Sequence, residues 1–280
     1  MVESPETRGV PFRGKPAVSW WHAALLGLLQ GVTEFLPVSS SGHLALAQAL
    51  IPGFHQPGVV FDATLHLGTA AAVVWFERRE LMAWFRTRSG LRLLALLGLG
   101  TVATALPAFP LRDLAEAAFS RPGWIGAFLV VTGVVVLSTR WLAGGGTREL
   151  ETGWGQAAAV GLVQGLAIFP GISRSGITIA AGLGMGLDRA WAARFSFLLA
   201  VPAIAGATVL EVAGARGELA SLGPVFWGAC LVGGVVAGVS GYVALTVVLR
   251  TLTARVFHRF GWYCLPLGGL VLALHLGGVL

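Results

Sequence analysis

"GVTEFLPVSSSGH", residues Gly31 to His43, puts an acid, a proline, three serines and a histidine inside an oily run. "HAALLGLLQ" precedes it and "LALAQALIPG" follows it. In a soluble domain such a cluster would form a wet turn. The composition argues against that here, because 55% of the 280 residues are hydrophobic and only 11% are charged. A soluble domain carries about 25% charge, and so few charges cannot coat a globule of this size. Mean hydropathy is +0.78. The reading is an all-α polytopic membrane protein. Forty glycines suit close helix contact in lipid, and ten tryptophans suit the membrane interface.

The formal charge of +6 does not point to nucleic acid, because the basic residues punctuate apolar segments instead of forming a polar domain. Cys230 and Cys264 lie in apolar segments without CxxC spacing, which argues against a disulfide framework or a zinc site. Residues 1–19 read as a flexible polar tail without a removable signal. Residues 20–280 read as a single transmembrane domain.

Six stretches are long enough to cross about 30 Å of hydrocarbon, which takes roughly 17 to 20 helical residues. They lie near 59–76, 91–109, 124–142, 191–213, 224–249 and 263–279. Four shorter ones, near 21–36, 41–51, 156–169 and 174–187, form two pairs, each broken by proline, glycine and serine. Such a pair reads as a re-entrant helical hairpin whose break is buried in protein or lines a wet cavity. A single kinked span is the alternative.

The two broken pairs match. "GLLQGVTEFLPVSSSG" at 27–42 and "GLVQGLAIFPGISRSG" at 161–176 align at a constant offset of 134. Gln30 falls on Gln164, Phe35 on Phe169, Ser39 on Ser173 and Ser41 on Ser175. The chain therefore reads as a duplication, about 20–142 and 154–280. Three spans between the copies, an odd number, turn the second copy upside down and make an inverted repeat with its broken helices meeting near the membrane centre. The segments 77–90, 143–155, 188–190 and 250–262, with their flanks, hold twelve arginines from Arg78 to Arg259. The opposite loops hold Arg112, Arg121 and Arg216. The positive-inside rule then puts the first set in the cytoplasm and both chain ends outside, although Arg8, Arg13 and Lys15 in the tail soften the contrast.

Ionisable residues inside a membrane are functional candidates by default. The first copy offers Glu34, Ser40 and His43; the second has Ile168, Arg174 and Ile177 in their places. A structural Arg174–Glu34 salt bridge is the plain alternative. An acid, a hydroxyl and an imidazole facing a guanidinium suit a phosphate ester, which Arg174 can grip with paired donors. Backbone N–H groups at Ser39–Gly42 and Ser173–Gly176 can receive oxyanions. The hydroxyls of Ser39, Ser41, Ser173, Ser175 and Thr178 can add donors, or simply cap helices. Ser40 can attack phosphorus with His43 or Glu34 taking its proton, or Glu34 or His43 can activate water. Glu34, with Gln30 one turn earlier, can instead hold a divalent ion. Asp62 and His66, four residues apart, can support the acid and the imidazole from behind or be merely interfacial. His22 and His55 read as interfacial, and His258 and His275 carry no assigned role.

"LLQGVTEFLPVSSSGH" and "PGISRSGIT", with "FDATLHLGT" and "RFSFLLAVPAIAG", closely resemble the undecaprenyl-diphosphatase family of bacteria, from about Trp20 to the C-terminal span. The resemblance implies conversion of undecaprenyl diphosphate to undecaprenyl phosphate at the outer face of the cytoplasmic membrane, with Mg2+ or Ca2+ required. It also implies an inverted repeat with re-entrant hairpins. By motif position the family's acidic pair falls on Gln30 and Glu34, its serine on Ser40, its histidine on His43 and its arginine on Arg174. The first acid, commonly Glu, is Gln here. The partners so implied are a polyprenyl diphosphate lipid and the bilayer, with a homodimer left open. The rival is a transporter of a polyprenyl phosphate, since inverted repeats with broken helices also build transporters.

Overall fold

Ser39 and Ser173 each end a proline-containing break and start a helix. Each Oγ accepts a hydrogen bond from the backbone N–H three residues on, Gly42 N at 3.3 Å and Gly176 N at 3.1 Å. The computed structural model describes residues 19–51, 59–219 and 222–280, which are helical with no strand among them. His55 and nearly all of the N-terminal tail lie outside the described residues.

Helices α1 (Trp20–Phe35) and α2 (Ser40–Leu50) form the first broken pair. They are followed by α3 (Val59–Phe76), α4 (Arg78–Trp84), α5 (Arg88–Phe119) and α6 (Pro122–Ser138). Helices α7 (Trp154–Gly165) and α8 (Arg174–Gly184) form the second pair, followed by α9 (Arg189–Gly214), α10 (Arg216–Leu219), α11 (Pro224–Thr253) and α12 (Gly261–Leu276). Of the six expected spans, α3, α5, α9 and α11 have full membrane-crossing length and apolarity. The other two are shorter than the sequence suggested. Helix α6 stops at Ser138, and α12 continues from a short 3-10 turn, Phe257–Phe260, so at 17 and 16 residues they reach about 25 Å. They pack on each other along their length.

Packing crosses between the halves. Helix α1 lies against α11, while α7 lies against α5. Close approach at both contacts depends on glycine. A Cβ on Gly27 would run into the Gly233 carbonyl, and one on Gly161 into the Gly100 carbonyl. Without a hydrophobic force between helices in lipid, this backbone contact is what van der Waals packing and small residues provide. The largest apolar core gathers α3, α5, α7, α8, α9 and α11 around Phe35, Phe195 and Phe197. At one end, buried Glu77 pairs with Arg194 through its Nε at 2.9 Å and through Nη2, tying the end of α3 to α9.

Candidate active site

The two breaks bind each other. Ser39 Oγ accepts from Gly171 N at 3.0 Å, and Ser175 Oγ donates to the Leu36 carbonyl at 3.1 Å. Thr132 of α6 holds the second break, donating to Gly171 O at 2.7 Å and accepting from Ser173 N at 2.9 Å. Ser39 itself sits at φ +70, a region that a residue with a Cβ adopts only when its surroundings enforce it. The caps, the breaks and α6 therefore fix where α2 and α8 begin.

That register brings Arg174, the first residue of α8, to Glu34 near the end of α1. Arg174 Nη2 donates to Glu34 Oε1 at 2.6 Å, and Arg174 Nη1 donates to the Ser196 carbonyl at 3.3 Å. The guanidinium lies 5.9 Å from the Phe35 ring centroid. Glu34 is only 7% exposed, so its charge is held by these partners rather than by water. Its other oxygen, Oε2, accepts from Ser40 Oγ at 2.6 Å and from Gln30 Nε2 at 2.9 Å. Gln30 Nε2 also lies 2.8 Å from His66 Nδ1, which is itself 3.4 Å from Glu34 Oε2.

His43 is directed elsewhere. Its Nδ1 lies 2.7 Å from the Ser39 carbonyl, which can only accept, so Nδ1 carries a proton. Its Nε2 lies 2.8 Å from the Tyr263 hydroxyl of α12, and the two rings stack at 5.8 Å. The i,i+3 spacing of Ser40 and His43 does not bond them to each other, because their polar atoms have these other partners. Asp62 accepts from Gln48 Nε2 at 3.0 Å and so links α3 to α2.

The predicted donors divide by burial. Ser40, Ser41, His43 and Arg174 are partly accessible, whereas Ser39, Gly42, Ser173, Ser175, Gly176 and Thr178 are buried. Thr178 Oγ1 donates to the Arg174 carbonyl at 2.7 Å and lies 2.6 Å from Ser196 Oγ, so it braces the first turn of α8. Ser173 and Ser175 lie 3.2 Å apart through their hydroxyls. Tyr263 and Thr132 were not among the sequence candidates; each lies in a mostly apolar helix with no local signal that it faces a break.

Chemically, one carboxylate takes a hydroxyl proton on one oxygen and a guanidinium on the other. This is how a serine nucleophile is paired with a base next to an anion-binding group. The family model for bacitracin resistance protein BacA matches residues 23–270. The chain belongs to the BacA family. Relatives in this family include an undecaprenyl-diphosphatase of Desulfosudis oleivorans, 43% identical over 90% of this chain and 97% of that protein. The undecaprenyl-diphosphatase of Syntrophotalea carbinolica is 41% identical, over 92% of this chain and 99% of its own length. That of Desulfatibacillum aliphaticivorans is 39% identical over 90% and 98%. The BacA match spans both breaks, and with them every residue of the Glu34 network.

Proposed function

We propose that this BacA-family enzyme hydrolyses undecaprenyl diphosphate to undecaprenyl phosphate and inorganic phosphate. The observation that carries the reading is the Ser40 hydroxyl donating to Glu34, with Arg174 on the second carboxylate oxygen. The names of the relatives support the substrate.

In the proposed mechanism Arg174 receives the terminal phosphoryl oxygens, and the exposed first turn of α2 around Ser41 adds donors. Glu34 takes the Ser40 proton as Oγ attacks the terminal phosphorus. The bond from that phosphorus to the bridging oxygen breaks, and undecaprenyl phosphate leaves with the electron pair. Water then cleaves the phosphoserine, returning a proton to Ser40 and releasing phosphate. His43, held by Ser39 and Tyr263, is the group that protonates the bridging oxygen and, left neutral, then takes the proton of the water that cleaves the phosphoserine.

A divalent ion fits the donor set. Gln30 Oε1 is buried without a partner, on the same amide whose Nε2 reaches Glu34. Gln164 Oε1 is equally unpartnered at the matching position, with Ile168 in place of the acid, so the acid makes the difference. Gln30 and Glu34 would supply two oxygens and the diphosphate the rest, in the manner of Mg2+ sites. Such an ion would neutralise charge on the departing phosphate oxygens.

The membrane arrangement belongs to the same proposal. Helix bounds recur at the 134-residue offset: α2 at 40–50 and α8 at 174–184 coincide under it. We read the halves as inverted repeats, the site as open to the outer side, and the arginine-rich loops as cytoplasmic. The deciding experiment is phosphate release from undecaprenyl diphosphate by purified protein in detergent. Turnover with no second compartment supports the phosphatase. Binding without release would favour a carrier of lipid phosphate.

A further inference from the structure

Away from the Glu34 network, where the ends of α6 and α11 meet the start of α9, a cavity of about 270 Å³ is lined by Arg140, Arg189, Arg255 and His258. Thr139, Trp141, Ala143 and Phe257 complete the lining, and no carboxylate is among these residues. The space far exceeds one water, which takes about 30 Å³ of liquid.

Two observations separate this cluster from ordinary loop charge. First, Arg194, half-buried in the same arginine-rich region, is neutralised by Glu77 and Glu80, whereas no carboxylate lines the cavity. The acid nearest the cavity in sequence, Asp188, has its Oδ1 occupied in capping α9, through Ala190 N at 3.0 Å and Trp191 N at 3.3 Å. Second, Arg189 is anchored through Nη2 to the Leu142 carbonyl at 2.6 Å, while its Nε is buried with no acceptor. Buried donors almost always have a partner, and one that lacks it calls for an explanation. Arg255, at φ +58, is the left-handed residue of the Schellman cap that ends α11: its N–H donates to Leu252 O at 3.0 Å and Val256 N–H to Thr251 O at 2.8 Å. This cap turns the chain from α11 back along the cavity. Arg140 lies over Trp141 at 4.8 Å, and Trp141 is 72% exposed, as a tryptophan at the headgroup level would be.

We propose that this cavity is a binding site for a phosphate group at the membrane interface, separate from the Glu34 centre. Three arginines lining one cavity whose walls hold no acid match phosphate oxygens, which arginine grips through paired donors. Basic pockets between transmembrane helices are suited to anionic headgroups. The phosphate can be carried by a phospholipid or be free in solution, and the chemistry is the same.

The test uses the delipidated full chain in detergent. Phosphatidylglycerol, phosphatidylcholine and inorganic phosphate are titrated separately, with binding read by native mass spectrometry and thermal unfolding. Variants are Arg189→Gln with Arg255→Gln, and Arg140→Gln alone, which leaves the Leu142 contact in place. Phosphatase turnover within twofold of wild type certifies the fold. The expected result is phosphatidylglycerol binding at least fivefold tighter than phosphatidylcholine, weakened at least fivefold in both variants. Saturable binding of inorganic phosphate alone, lost in the same variants, supports the site and assigns it to the free ion. Equal affinity for both lipids with no saturable binding of inorganic phosphate, or binding unchanged in folded variants, overturns it.

Discussion

Glu34 and Arg174 are 140 residues apart in sequence and meet at 2.6 Å, one from each broken helix pair. The contact is a salt bridge, and in isolation it reads as structural. Its second half changes the meaning, because the same carboxylate accepts the Ser40 hydroxyl at 2.6 Å. In the proposed mechanism a diphosphate entering the site would compete for Arg174 and leave Glu34 facing Ser40, the serine it is proposed to deprotonate.

Glu34→Gln keeps the shape and removes the charge. We expect kcat/KM to fall at least 100-fold, about 3 kcal/mol of transition-state stabilisation, in a protein that remains monodisperse. Affinity for a non-hydrolysable diphosphate analogue should rise, since Arg174 loses its resting partner. Weaker analogue binding together with retained turnover would make Glu34 a scaffold residue only.

Arg174→Lys preserves charge and loses the planar fork. A drop of about 100-fold or more in kcat/KM is expected, again near 3 kcal/mol. Steady-state phosphate release by the folded variant checks it, and near-normal turnover would remove the bidentate clamp.

Tyr263→Phe deletes one hydroxyl and keeps the ring stacked on His43. The expected effect is about tenfold on kcat, or roughly 1.4 kcal/mol, with KM within twofold. An unchanged kcat would mean that the Tyr263 hydroxyl does not orient the imidazole.

Orientation is checked by single cysteines in a background lacking Cys230 and Cys264. Gly145 is a poor position for the loop label, because a Cβ there would collide with the Gly186 backbone, whereas Gly146 opens onto free space. Cysteines at Gly146 and near Pro5 should react oppositely with an impermeant thiol reagent on intact cells. Labelling of both from outside would contradict the inverted repeat.

The broken helices were legible because the sequence states them twice. Proline, glycine and serine at a fixed offset predicted helix starts that fall at Ser40 and Arg174. Glu34, Ser40 and Arg174 were legible as charges and a hydroxyl with no reason to be in oil. What their spacing did not reveal was partnership. Ser40 and His43 look paired at i,i+3, yet Ser40 turns to Glu34 across the break and His43 to Tyr263, 220 residues away. Long-range contacts of that kind depend on how α12 packs against α6, which no local pattern encodes. Likewise Arg194 reads as a loop-flank charge and forms a tie with buried Glu77 between α3 and α9.

The central claim is that Ser40 attacks phosphorus with Glu34 as its base, and rapid quenching tests it most directly. Full-length protein carrying His43→Ala, and wild type beside it, are mixed with undecaprenyl diphosphate labelled in the terminal phosphate and stopped in acid within milliseconds. Label should appear on Ser40, and Ser40→Ala should carry none and turn over at least 1,000-fold more slowly, about 4 kcal/mol. Absence of phosphoserine in both proteins, with Ser40→Ala within about tenfold of wild type, roughly 1.4 kcal/mol, would contradict the account and assign the attack to water.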